Sequence, residues 1–191
     1  MTAGIILAAG ASRRMGRPKA LLEYRGETFV GRLVRVFEKF CDPVVVVLGH
    51  NAEALRAHIP ARFVINPDPD RGQLSSLQTA LAGVDSDFLF VPVDCPTVRE
   101  EVVAQILDKL RDAAIVIPRY GGKRGHPVAV SRAIREDFLA LPPTEETRAA
   151  IDAHPDRITY LDVNDPGILA DIDDAAAYRK MTAMREGAFE Q

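Results

Sequence analysis

The chain has 191 residues, 47% hydrophobic and 27% charged, with a formal net charge of −3. Those are the proportions of an ordinary soluble domain, and the acidic balance argues against a general nucleic-acid binder, which carries a basic face. Two cysteines, Cys41 and Cys95, suit a reducing compartment. No stretch reaches the ~20 apolar residues of a membrane span, and no secretory leader precedes Gly10, so a cytoplasmic protein with no membrane or nucleic-acid partner is expected.

In chain order, Gly4–Ala9 reads as a buried strand. Phe29, Val30, Leu33, Val34 and Phe37 fall at helical spacing. Val44–Leu48 is so uniformly apolar and β-branched that both its faces should be covered. Asn51 is placed to cap a short helix through Ala57, and Arg62–Asn66 is a third strand ended by Pro67-Asp68-Pro69. Leu74, Leu77 and Leu81 mark a helix ending near Gly83, and Asp87–Val91 a fourth strand. Val102, Val103, Ile106, Leu107 and Leu110 make an amphipathic helix. Ala113–Ile117 follows as a fifth strand, with a loop over Arg119–Gly125. The order then becomes irregular: a strand over Pro127–Ser131, helices over Ala133–Leu141 and Glu145–His154, a strand over Arg157–Val163 and a helix over Asp174–Met184.

Alternating strands and helices at these spacings predict a three-layer α/β/α fold. Its sheet is mostly parallel and Rossmann-like, with an irregular mixed C-terminal part. Residues 1–185 are expected to form one domain, and 186–191 a frayed tail. Ligands of open α/β sheets bind outside the carboxyl ends of the strands, so the chemistry should lie in the loops after them.

The first such loop carries the strongest signal. Leu7-Ala8-Ala9-Gly10-Ala11-Ser12-Arg13-Arg14-Met15-Gly16-Arg17-Pro18-Lys19 follows a strand and holds Arg13, Arg14, Arg17 and Lys19 without an acid. Free backbone N–H groups and nearby cations are what a polyphosphate requires. The run is not G-x-G-x-x-G, because Ser12 stands at the second glycine. It is not a Walker loop either, because five residues separate Gly10 from Gly16 and Ala20 follows Lys19. It does resemble the L-A-(A/G)-G-x-S-x-R-M-G-x-x-K signature of the molybdenum cofactor nucleotidyltransferase-like superfamily. The match covers Leu7, Ala8, Ala9, Gly10, Ser12, Arg14, Met15, Gly16 and Lys19.

The resemblance extends over roughly residues 4 to 178. It implies a fold of the nucleotide-diphospho-sugar transferase type and a nucleotide site lined by Leu7, Ala8, Ala9, Gly10 and Ser12, with Arg14 and Lys19 on the phosphates. Arg13 and Arg17 stand at variable positions and read as surface charges. Asp94, in Asp94-Cys95-Pro96, matches the family's D-x-P carboxylate to Mg²⁺; on residue type alone it could equally cap a turn. Asp162, Asp165, Asp171, Asp173 and Asp174 form an acidic stretch that could be merely solvated. Asp171-Ile172-Asp173-Asp174-Ala175 nonetheless parallels the family's (D/N)-I-(D/N)-T-P segment, which makes Asp173 the second expected metal ligand and Asp171 the next. Arg14, Lys19 and Asp94 are the expected catalytic groups.

Two further segments complete the resemblance. Gly72 and Ser76 match G-x-x-x-S-L, implying contact with base and ribose, although a serine there is also an ordinary helix-start residue. Arg124-Gly125-His126-Pro127, within Gly122–Pro127, resembles R-G-(H/N/F)-P, which borders the acceptor; His126 either contacts the acceptor phosphate or closes a turn. Ala9 in place of a second glycine, and Asn164-Asp165-Pro166-Gly167-Ile168-Leu169, look like the molybdopterin cytidylyltransferase branch. That branch's G-D-x-G-A-R segment is missing, with only Arg148 matching.

The resemblance therefore implies a Mg²⁺-dependent transfer of CMP from CTP to a small phosphorylated acceptor, molybdopterin first, with a transient protein partner allowed for in cofactor delivery. A sugar- or polyol-phosphate acceptor, or a non-catalytic nucleotide-binding or chaperone domain, are the alternatives. No covalent nucleophile is needed, since a phosphate monoester is largely dianionic at neutral pH.

Overall fold

The computed structural model describes residues 1–183. The tail expected over 186–191 lies outside the described residues, as does the end of the helix expected to run through Met184. The chain runs β1 (Ala3–Ala8), a small hairpin of β2 (Glu23–Tyr24) and β3 (Glu27–Thr28), α1 (Phe29–Glu38), β4 (Val44–Leu48), α2 (Ala52–Leu55) and β5 (Arg62–Ile65). It continues through α3 (Gln73–Leu81), β6 (Phe88–Pro92), α4 (Glu100–Leu110), β7 (Ile115–Tyr120), β8 (Lys123–Arg124) and β9 (Val128–Val130). The last elements are α5 (Arg135–Ala140), α6 (Thr147–Asp152), β10 (Ile158–Asp162) and α7 (Ala175–Ala183). Among the described residues no helix is long and apolar enough to cross a membrane.

Eight strands form one mixed, mostly parallel sheet in the order β10-β7-β9-β6-β1-β4-β5, with β8 hydrogen-bonded to β7. β1 lies between β6 and β4 and is parallel to both. β9 is antiparallel to β6 and to β7. All six residues of β1 and all five of β4 are buried. Their alternation supplies two cores: Ile6 and Ala8 pack with Leu33, Phe37 and Val103 on one face. Ala3, Ile5 and Leu7 pack with Leu74, Leu77, Phe88 and Phe138 on the other. A strand that feeds both layers must be apolar throughout, which is why Val44–Leu48 has no polar side.

The antiparallel β9 matters for function. Its neighbours β6 and β7 deliver their loops at their carboxyl ends, whereas β9 presents its amino end at that same edge. Gly125-His126-Pro127, which precede β9, are therefore brought beside the loops that follow β1 and β6.

Two local expectations are corrected, and one element is added. Asn51 does not cap α2 with its side chain; it sits in the left-handed region at φ 63°. The loop expected over residues 119–125 is the β7–β8 hairpin, turned by Gly121 and Gly122 at φ 56° and 78°. Positive φ at both turn residues matches the right-handed strand twist, so the strand continues to Tyr120 instead of stopping at Ile117. The β2–β3 hairpin went unseen because two-residue strands carry no periodicity. Elsewhere Thr28 caps α1 by accepting a hydrogen bond from the Gly31 N–H at 3.1 Å.

Phe88 is fully buried, with its ring edge-on to Phe138 at 5.6 Å. Phe88→Ala should lower unfolding free energy in urea by about 3–5 kcal/mol through lost transfer energy and the remaining cavity. A loss under about 1 kcal/mol would contradict this packing.

Candidate active site

The loop after β1 folds over its own serine. Ser12 stands at φ 52°, a conformation uncommon for a residue with a side chain. Its carbonyl accepts the Met15 N–H at 3.0 Å, and its Oγ accepts the Lys19 N–H at 3.0 Å. Met15 packs against the first core. The loop is thus anchored by an apolar side chain in its middle and a hydroxyl at its base, with Gly10 exposed at the rim. It walls a cleft of about 440 Å³ that includes Leu7, Ala8, Ala9, Gly10, Ser12, Arg14 and Lys19 from this strand and loop. Gly72, Ser76, Asp94 and Asp173 line the same cleft. Arg13 is largely exposed, with a carboxylate of Asp70 at 3.9 Å, and Arg17 lies over the Tyr178 ring.

Lys19 is the centre of the charge arrangement. Its Nζ donates to Asp94 Oδ2 at 2.9 Å and to Asp173 Oδ1 at 2.7 Å, and Arg14 approaches Asp173 Oδ2 at 3.5 Å. Burial by itself would lower the Lys19 pKa, but the two carboxylates outweigh it and the net shift is upward. The hydrogen bond from Lys19 holds Asp173 below the usual carboxylate range. Asp171 is shifted the opposite way, first by desolvation and then by the negative charge of Asp94 and Asp173. One oxygen from each of Asp94, Asp171 and Asp173 lies within 4.8 Å of the others. Three hard oxygen donors around a common point, one of them destabilised by its like-charged neighbours, fit a divalent cation such as Mg²⁺.

These aspartates come from distant parts of the chain, so something must hold them together. The segment after β10 is stapled to the loop after β6. The Ile172 N–H donates to the Asp94 carbonyl at 2.9 Å, and Thr97 Oγ1 donates to the Gly167 carbonyl at 2.7 Å. Asp165, 2% exposed, accepts from Arg99 Nε at 2.9 Å and from the Gly167 N–H at 2.8 Å. A Cβ on Gly125 would lie 2.5 Å from the Ile168 carbonyl oxygen, so only glycine lets the two backbones approach there. The neighbouring His126 N–H donates to that carbonyl at 2.9 Å. Asp174 then caps α7, accepting from the N–H groups of Ala176 and Ala177, which does at this helix start what Thr-Pro would otherwise do. The sequence places Asp165 in an acidic run and in the Asn164–Leu169 segment; its burial and its pairing with Arg99 are tertiary facts.

A second cleft of about 330 Å³ opens beside the first and shares Gln73, Pro92 and Asp94 with it. It is also lined by Cys95, Arg124, Gly125, His126 and residues 168–171. Arg124 is held by Asp152 at 2.7 Å and by the Tyr160 hydroxyl, and Arg148 reaches the same Asp152 at 2.9 Å. Arg148, the matching arginine of the otherwise missing G-D-x-G-A-R segment, is thus linked to this cleft's Arg124 through Asp152. Desolvation lowers the His126 pKa to about 4, and among the described residues its buried Nδ1 has no hydrogen-bond partner. His126 is a neutral imidazole at pH 7 and adds no positive charge here. Cys95 is buried, with its thiol pushed up chiefly by desolvation.

Asn66, which ends the third expected strand and opens the loop after it, organises the wall opposite the basic loop. It is 4% exposed and bonds to the backbone of Asp68 and to both Ser75 and Ser76. An asparagine at the end of a strand, followed by Pro-x-Pro and then by two serines, was the available signal.

Two measurements test this geometry. Asp165→Ala leaves Arg99 without its buried carboxylate and should cost about 3 kcal/mol in denaturant unfolding. A His126 imidazole followed by NMR should stay neutral through pH 5. Because unfolded histidine protonates near about 6.5 and folded His126 near about 4, this group should remove stability as pH falls through that window and have no effect above it.

Residues 4–158 match the MobA-like NTP transferase domain family. Nicotine blue oxidoreductase of Paenarthrobacter nicotinovorans is 37% identical over 146 residues, spanning 69% of this chain and 72% of that protein. Molybdenum cofactor cytidylyltransferase of Escherichia coli (strain K12) is 28% identical over 152 residues, spanning 77% and 79%. The crystal structure of Rv0371c from Mycobacterium tuberculosis H37Rv superposes with a TM-score of 0.84 at 30% identity, covering 96% of this chain and 97% of that one. Its complex with manganese superposes with a TM-score of 0.77 at 26% identity, covering 96% and 99%. With that family model matching more than half its length, the chain belongs to the MobA-like NTP transferase domain family.

Proposed function

We propose that the protein transfers a nucleoside monophosphate from a nucleoside triphosphate to a phosphate monoester and releases pyrophosphate. CTP is the proposed donor and molybdopterin the proposed acceptor. The observation that carries this reading is the meeting of two clefts at Asp94, one rimmed by the basic loop and the other by Arg124 and His126. Two substrates seated in them would bring an acceptor oxygen against the α-phosphate. The new P–O bond forms on the acceptor, the bond to the β-phosphate breaks, and its electron pair leaves on pyrophosphate.

The roles of the side chains follow from their placement. Leu7, Ala8, Ala9 and Gly10 provide the wall of the triphosphate cleft, and Gly72 and Ser76 its nucleoside side. Arg14 and Lys19 are cations that can turn from their carboxylates to the phosphates. Asp94, Asp173 and Asp171 would hold Mg²⁺, which supplies charge neutralisation on the departing phosphates. Gly125 and His126 border the acceptor, His126 as a neutral polar group. Ala9 in the place of a second glycine favours CTP over GTP. The manganese complex of Rv0371c favours a divalent cation. The missing G-D-x-G-A-R segment keeps a sugar- or polyol-phosphate acceptor in the panel.

A second reading comes from the relative named as an oxidoreductase. Three carboxylates at metal-binding separation facing two cations suit phosphoryl chemistry better than hydride transfer. The deciding assay supplies CTP, GTP, ATP or UTP with Mg²⁺, with and without molybdopterin, and records pyrophosphate. Release should be greatest with CTP and molybdopterin, should require Mg²⁺, and should fall at least 100-fold in Asp94→Ala, an order of magnitude set by the loss of one charge-stabilising group. Unchanged turnover in Asp94→Ala would reject the metal assignment. Consumption of a reduced nicotinamide with no pyrophosphate would favour the redox reading, and tight nucleotide binding with no turnover a binding module.

A further inference from the structure

Asn66 is fixed in one orientation by a donor that cannot change role. The Asp68 backbone N–H lies 3.0 Å from Oδ1, so that atom must be the amide oxygen. Its Nδ2 protons then point at Ser75 Oγ, 2.9 Å away, and Ser76 Oγ, 3.0 Å away. Both hydroxyls are therefore acceptors toward Asn66, and each keeps its own proton to give elsewhere. Ser75 gives its proton back to its own helix, at the Gly72 carbonyl 2.9 Å away. Ser76 has no acceptor for its proton among the described residues, yet it is 3% exposed and lines the triphosphate cleft.

From this arrangement we infer that Asn66 is a positioning residue that commits Ser76 to act as a hydrogen-bond donor, reading an acceptor atom on the nucleoside of the bound nucleotide. This rests on the nucleotide reading of the first cleft and deepens it. A lone serine hydroxyl can turn either way, donating or accepting. Asn66 fills one of the two lone pairs of Ser76 from behind and offers its proton no acceptor, so that proton is left to face the ligand. A buried donor left unmatched is costly, so a ligand with no acceptor at that point is disfavoured. The phosphates, held by the loop after β1 on the far wall, do not take part in this contact.

The test separates the nucleoside from its phosphates. Calorimetry with Mg²⁺ compares the tightest-binding of CTP, GTP, ATP and UTP with inorganic tripolyphosphate, in the full-length protein and in variants. Ser76→Ala should weaken the nucleotide about five- to twentyfold, the worth of one hydrogen bond, and leave tripolyphosphate within about twofold. Asn66→Asp replaces the amide donor by a second acceptor, so Ser76 turns its proton inward and the nucleotide should weaken by a similar factor. The double variant should be no weaker than either single one, because both remove the same bond. Should Asn66→Asp fail to fold by circular dichroism, Ser76→Cys, a weaker donor, should fall between Ser and Ala. Equal losses on nucleotide and tripolyphosphate, additive losses in the double variant, or no loss in Ser76→Ala would each overturn the inference while leaving the proposed function in place. A wild-type protein that binds tripolyphosphate and no nucleoside triphosphate would overturn both.

Discussion

Everything at this site depends on the Lys19 ammonium lying between Asp94 and Asp173. The contact joins three stretches that have no local reason to meet: the loop after β1, the end of β6 and the segment before α7. Each of the three groups is partly withdrawn from water, so none is easily spared its partner. Opposite charges brought together in this way set the distance between the basic loop and the carboxylates. They also make the loop's basicity and the aspartates' acidity one feature, since each is the other's counter-charge. A ligand that brings both anion and cation, as a metal–nucleotide does, can replace both halves of that pairing at once.

The sheet explains why these groups can converge. Parallel strands deliver their following loops to one edge, which puts the loops after β1, β4, β5 and β6 together. The antiparallel β9 adds a loop from its amino end, and β10, parallel to β7, returns the acidic segment to the same edge. Asp165 and Arg99, with Thr97 and the backbone of Ile172, then clip that segment down. Few of these contacts are catalytic in kind. They convert a flexible acidic loop into a rigid arm whose carboxylates face a fixed point, which is what electrostatic catalysis requires.

The two clefts differ in how they are built. The first is lined by the ion-paired cations Arg14 and Lys19 and by a polar wall at Asn66, Ser75 and Ser76. The second is narrower in chemistry, with a neutral imidazole, a buried thiol and a guanidinium already held by Asp152 and Tyr160. The first is suited to a highly charged ligand. The second offers little free charge, so a ligand seated there would gain its orientation from shape and hydrogen bonds as much as from charge.

Local physical chemistry made most elements legible from the sequence. Val44–Leu48 had to be a two-faced strand because it has no polar residue, and Phe29–Phe37 had to be a helix because its apolar residues recur on one side. The basic loop was legible because glycines and cations were packed into one short run, and Lys19, Asp94 and Asp173 stood out from separate motifs. Tertiary structure decided what no local pattern contains. It turned the run expected as a loop at residues 119–125 into a hairpin and inserted β9 antiparallel. It made Asp165 a buried anchor and left Asp171 exposed at the cleft, two residues of one acidic run sorted by which neighbours they met. It also gave Asn66 its two serines, because the direction of a hydrogen bond is fixed only when the donor opposite, here the Asp68 N–H, has been brought into place.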